Sequence, residues 1–141
     1  MLQQLIVHNY ALVKQLELDF QHGMTAISGE TGAGKSILLD ALGLALGDRA
    51  ESGCVSTDAD RADIHAIFEL AELPTVKQYL ASNHLDNDDD NNICILRRVV
   101  NRDGRSRGYI NGRPANMSSL RQLGRQLINV HGQHEHQHLL S

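Results

Sequence analysis

One stretch constrains this chain more than any other. Gly29-Glu30-Thr31-Gly32-Ala33-Gly34-Lys35-Ser36 satisfies G-x-x-x-x-G-K-[ST] at every fixed position. Its flanks fit as well. Met24-Thr25-Ala26-Ile27-Ser28 before it reads as a short strand, and residues 36–47 after it read as a helix with Gly47 as its stop. That helix is apolar nearly all round (Ile37, Leu38, Leu39, Ala41, Leu42, Leu44, Ala45, Leu46), so it is expected to be buried. Glycines let the backbone curl until successive N–H groups point inward, a concavity suited to phosphate oxygens. The helix start adds free amides and the positive end of its dipole. Lys35 then supplies a point charge to the β and γ phosphates, and the Ser36 hydroxyl a ligand for Mg2+. Glu30 occupies a variable position of the motif and is given no catalytic role.

The loop alone does not fix a reaction, because kinases, GTPases and ATPases share it. Hydrolysis also needs an acid at the end of a hydrophobic strand to hold Mg2+. No run of four apolar residues followed by Asp occurs after Ser36. Ala66-Ile67-Phe68-Glu69 comes near but is one apolar residue short and lies in an alternating strand. The expectation is half of a catalytic site, completed elsewhere.

The rest of the chain reads as one α/β unit. Residues 2–8 and 13–20 form strands around a turn at His8-Asn9-Tyr10, with Leu16, Leu18 and Phe20 on one face of the second. Residues 48–62 are a polar loop, residues 64–70 a half-buried strand, and residues 75–85 a short helix after Pro74. Asp86, Asp88 and Asp90 have the 1-3-5 spacing of a calcium loop. Asn91 and Arg97 then stand where that loop needs Gly and Glu, so an acidic surface turn is expected instead. Residues 93–100 form a strand, Gly104 marks a hairpin, and residues 108–111 return. Ser118 or Ser119 caps a helix to about Arg125, and residues 127–130 read as a last strand.

Charge is unevenly spread. The chain of 141 residues has a net charge of −4, yet residues 97–125 hold eight arginines against one acid, Asp103. Arg97, Arg98, Arg102, Arg105, Arg107 and Arg113 decorate the hairpin and its flanks. They are either a sequence-independent, salt-sensitive contact to DNA phosphates or a solvated surface. Tyr109 is the lone local aromatic, which disfavours single-strand binding by base stacking. Cys54 and Cys94 form no CxxC pair, which argues against a disulfide scaffold and a Cys-based zinc site. His131, His134, His136 and His138 crowd the end of the chain, but zinc usually draws its ligands from two separated elements. No apolar run approaches the ~20 residues that span a bilayer, and MLQQLIVHNY lacks the form of a secretory signal. No membrane partner is expected.

Four segments together carry a resemblance: LxVHNYALV, SGETGAGKSILLDALGLALGDRA, SRGYINGRPAN and INVHGQHEHQHLL. Over essentially the whole chain it resembles the SMC-like branch of the ABC-type ATPases, in its bacterial DNA repair members. The resemblance implies an α/β P-loop NTPase fold, with residues 1–141 as the N-terminal lobe of an ABC-type ATPase head carrying an antiparallel β-subdomain. In that family a coiled coil separates the two lobes. The C-terminal lobe brings the missing acid and the signature motif, and two heads dimerise over ATP. Implied cofactors are ATP and Mg2+. Implied partners are the C-terminal lobe, a second head as a homodimer, and double-stranded DNA at breaks. The implied location is the bacterial cytoplasm, associated with the nucleoid.

By position, Gly29, Glu30, Thr31, Gly32, Ala33, Gly34, Lys35 and Ser36 resemble the family's nucleotide-binding loop, with Ile37 where many relatives have Ser or Thr. Gln133, with Gln137 as the alternative, resembles the Q-loop glutamine at Mg2+ and the attacking water. Arg49 resembles a basic residue that senses nucleotide or DNA. Asn9 to Ala11 resemble the segment flanking base and ribose. Two readings from other classes stay open on the residues alone: a small standalone phosphotransferase, and a DNA-binding module whose loop is not catalytic.

Overall fold

A computed structural model describes residues 1–20, 32–51, 53–87 and 89–129; of residues 32–36 and 129 it describes the backbone alone. The elements in chain order are β1 (Leu2–Tyr10), β2 (Val13–Asp19), α1 (Gly32–Ala45), β3 (Arg61–Glu69), α2 (Pro74–Ser82), β4 (Ile93–Asn101), β5 (Ser106–Ile110), β6 (Arg113–Ala115) and α3 (Met117–Asn129). The strands form one six-stranded sheet in the order β2-β1-β3-β4-β5-β6, and every neighbouring pair is antiparallel. Among the described residues no helix is long and apolar enough to cross a membrane.

Side chains alternate across a strand, so the register decides which residues meet the helices. One face carries Leu18, Leu5, Ala66, Leu96 and Ile110 in a row across five strands, with Val7, Ile64 and Arg98 in the next. All of these are buried. α1 packs on this face against β1, β3 and β4, while α3 packs against β5 and α2. The core they enclose is aliphatic, with Phe68 its one buried phenylalanine among the described residues. The opposite face is half-open and carries Ile6, His65, Arg97 and Tyr109 in one row and His8, Asp63, Val99 and Arg107 in the next.

Four local expectations need correction. The first turn is not His8-Asn9-Tyr10: β1 runs on through Tyr10, and Ala11-Leu12 make the turn. Asn9 and Ala11 take positive φ of 57° and 53° there. The loop at residues 53–56 holds them, since Cys54 O accepts from Ala11 N at 2.6 Å and Ser56 N donates to Asn9 O at 2.8 Å. The strand expected over residues 127–130 does not form over 127–129, because α3 continues to Asn129. Leu120, Leu123 and Leu127 recur at helical spacing and are all buried, so the helical period overrides the short apolar run. Neither Ser118 nor Ser119 caps α3. Asn116 does, its Oδ1 accepting the Ser119 amide at 2.7 Å. Finally, the short strand β6 follows the hairpin, where the sequence pattern announces no strand.

Gly47 does stop α1 as expected. It sits at φ 102°, with Asp48 N donating to Gly43 O at 2.9 Å and Gly47 N to Leu44 O at 3.1 Å. These are the 6→1 and 5→2 bonds of a Schellman motif, which needs a left-handed residue at this place.

Candidate nucleotide-binding site

α1 begins within the glycine-rich motif, four residues earlier than expected. Gly32, Ala33, Gly34, Lys35 and Ser36 are its first five residues, so the motif's second half supplies the amides of a helix N-terminus. No acidic residue lies in that first turn, so no carboxylate of the helix competes for the positive dipole end. That end suits an anion such as the phosphates of a nucleotide. Gly29, Glu30 and Thr31 lie outside the described residues, as do residues 24–28, Gln133, Gln137 and the four terminal histidines. Ile37 is half-buried and packs against the core, a position consistent with its being apolar.

Asn9, Tyr10 and Ala11 stand at the end of β1 beside the 53–56 loop. Tyr10 is 9% exposed, and burial, with Asp40, Cys54 and Glu51 nearby, pushes its hydroxyl up to about 12. It lines a cleft of about 300 Å³ with Leu39, Asp40, Arg49, Glu51 and Cys54. Arg49 is exposed at the rim of this cleft. Cys94 is fully buried, which pushes its thiol up to about 12, so neither packing nor thiolate chemistry marks it as reactive. Both cysteines are free. Among the described residues no group of three His, Cys, Asp or Glu could hold a metal.

The arginines divide into two sets, and here the expectation from sequence is corrected. Arg98, expected on a surface patch, is 2% exposed. Its Nη1 donates to Leu44 O at 2.8 Å and Asp48 O at 2.7 Å, and its Nη2 to Ser106 Oγ at 2.9 Å. Burial lowers its pKa against the pull of Asp48 and Cys54. Arg97 makes a two-point pair with Asp63, Nε to Oδ1 at 3.0 Å and Nη2 to Oδ2 at 2.5 Å, and lies 5.4 Å from the Tyr109 ring centroid. Asp63, 34 residues away along the chain, is thus the acid partner that the local sequence lacks.

Burial raises the Asp63 pKa, but hydrogen bonding from Arg97 and the charges of His65, Arg97 and His8 outweigh it and hold the carboxyl below its ordinary value. His65 Nδ1 is 3.5 Å from Asp63. Burial, reinforced by Arg97 and His8 against the pull of Asp63, lowers the His65 pKa. Arg102 is spent on carbonyls of the 56–59 loop: Nε to Ala59 O at 3.0 Å, Nη2 to Thr57 O at 2.5 Å and Ser56 O at 3.3 Å. Arg105, Arg107 and Arg113 are exposed. Arg105 keeps one loose pair, with Asp103 at 3.7 Å.

An antiparallel sheet with α1 seated on its apolar face, that helix opening on the second half of the G-x-x-x-x-G-K-S motif, fits the α/β P-loop ATPase class of head lobe. The comparisons agree. A family model described as an AAA domain matches residues 4–140, and the chain belongs to that family. More narrowly, it is similar to DNA repair protein RecN. It is 49% identical over 140 residues to RecN of Vibrio cholerae, covering 99% of this chain and 25% of that protein. The figure for Haemophilus influenzae RecN is 44%, with the same coverage. The chain spans about a quarter of the length of the curated relatives it matches. A solved structure from work on ATP-driven dimerization and DNA-stimulated activation of SMC ATPases superposes with a TM-score of 0.66 at 24% identity, over 90% of this chain and 79% of that one. The resemblance to an SMC-like head, read from the motifs, is borne out in the fold and in the RecN similarity.

Proposed function

We propose that this chain is the ATP-binding N-terminal lobe of a RecN-type DNA repair ATPase, working in double-strand-break repair and recombination. The observation that carries the reading is that Gly32 to Ser36, the second half of the G-x-x-x-x-G-K-S motif, form the first turn of α1, with no acid in that turn. Gly29 to Ser36 would hold the phosphates, Lys35 would neutralise the β and γ charges, and Ser36 with Gln133 would hold Mg2+. Bound Mg2+ supplies charge neutralisation at the phosphates. Asn9 and its neighbours flank the base, and Arg49 senses nucleotide or DNA.

That no run of four apolar residues after Ser36 ends in Asp supports assigning hydrolysis to the full-length protein, with a C-terminal lobe and a second head completing the site. Residues 1–141 are then one lobe of a split head, at home in the cytoplasm on the nucleoid. Of the six arginines on the hairpin and its flanks, Arg105, Arg107 and Arg113 are left to meet duplex DNA, because Arg97, Arg98 and Arg102 are engaged within the lobe. Calorimetric titration of the full-length protein with MgATP tests the reading. Lys35→Ala should abolish binding; unchanged affinity would overturn it.

A further inference from the structure

Two arginines distant in sequence converge on the carbonyl end of α1. Its last turn contains no basic residue of its own, yet Arg98 of β4 donates to Leu44 O and Asp48 O, and Arg121 of α3 approaches Gly47 O at 3.4 Å. The Arg98 guanidinium is sealed from solvent, and the partial negative charge at this helix terminus adds to the pull of Asp48 and Cys54 in offsetting its charge. Arg98 is paired across the strands with Gly108. A Cβ at Gly108 would lie 2.2 Å from Leu120 Cδ1, so α3 sits directly on the backbone beside Arg98. At Gly124 a Cβ would lie 3.1 Å from Leu46 Cδ2. The end of α1 is therefore held against β4, β5 and α3 by close backbone approach and a fixed, three-point guanidinium. A planar fork bonded at three places sets the height of the helix along its axis as well as its distance from the sheet.

A helix is stiff along its hydrogen-bonded axis, and the motif residues occupy the other end of these 14 residues. We propose that Arg98 is a positioning residue for the anion-binding end of α1, fixing from the carbonyl end where the amides of residues 32–36 stand. It acts through the helix and touches no ligand. The inference rests on the nucleotide reading above and adds to it a residue that lies outside the motif.

The test compares Arg98→Met, Arg98→Lys and Val76→Ala in the full-length protein. Val76 is fully buried on α2, away from the clamp, and serves as a control for lost stability alone. MgATP affinity is measured well below each melting temperature, together with hydrogen exchange of the α1 amides. Arg98→Met should weaken MgATP binding by roughly tenfold, the size of one strong helix-terminus charge interaction. Its α1 amides should exchange faster than those of β3, Arg98→Lys should recover part of the affinity, and Val76→Ala should bind as wild type. Wild-type affinity in Arg98→Met, or an equal loss in Val76→Ala, would overturn the proposal and leave Arg98 a purely structural residue. If Arg98→Met does not fold, Arg98→Lys carries the same comparison against Val76→Ala. Failure of the wild-type protein to bind MgATP would instead sink the nucleotide reading, a result distinct from either.

Discussion

Replacing Gly47 by Ala separates two costs that usually come together. Gly47 has φ 102°, and an L-residue pays roughly 1–2 kcal/mol for a left-handed conformation. A Cβ there would also lie 2.6 Å from Arg121 Cγ, 2.9 Å from Arg121 N and 3.2 Å from Arg121 Cα. The Arg121 side chain can swing aside, but its backbone cannot move without lifting α3, an overpacking cost of roughly 1–3 kcal/mol. Together the two come to about 2–5 kcal/mol. Gly53 supplies the control, since it also has positive φ, 86°, but nothing lies within 4 Å of its Cβ position. Gly53→Ala should therefore lose only the backbone part. Urea unfolding of both variants, with midpoint and slope fitted separately, gives the difference directly. A gap of roughly 1–3 kcal/mol is expected. Equal losses would mean that α3 does not rest on the end of α1, and would remove the packing basis for the Arg98 clamp.

Three further outcomes are expected. Asp63 has a lowered pKa in the folded state, so its stabilising contribution is complete above roughly pH 4 and is lost as pH falls through the folded value. His65, also lowered, stays neutral after the unfolded chain has begun to take up protons near roughly pH 6.5, so stability already declines as pH falls below that point. Stability curves of Asp63→Asn and His65→Asn should flatten in the acid and near-neutral windows respectively. Asn111 has φ 49°, accepts from Ile95 N at 2.8 Å and donates to Leu85 O at 2.7 Å. Asn111→Ala should cost about 2–3 kcal/mol by urea unfolding, from removal of two hydrogen bonds plus strain. For DNA, changing Arg105, Arg107 and Arg113 to Gln should shallow the log K against log salt slope for duplex by about 0.9 for each phosphate no longer neutralised. An unchanged slope would put the DNA on another face of the protein.

Features with local causes are legible in the sequence. The apolar core-facing side of α1 and its stop at Gly47 follow from helical period and glycine geometry, while Leu39, apolar like its neighbours, is left exposed. The alternation of Ile64, Ala66 and Phe68 marks β3 for the same kind of reason. Features set by distant partners are not legible. Nothing near Asn9 and Ala11 announces positive φ, because the loop at residues 53–56 imposes it. Arg97 and Arg98 are adjacent and chemically identical, yet the strand pleat sends one to Asp63 on the open face and the other into the core. Composition alone puts both on the surface. A better signal is present for α3, where Leu120, Leu123 and Leu127 keep helical spacing through an apolar run that also suits a strand.

The claim that this lobe grips a triphosphate but holds only half the machinery to break it is tested most directly by ATP turnover. The assay uses the 141-residue chain alone and after mixing with the C-terminal lobe proposed to complete it, with and without linear duplex DNA. No turnover is expected from the chain alone, and turnover should appear on mixing and vanish with Lys35→Ala. Turnover by the chain alone, or a mixture that stays inert, would contradict the claim.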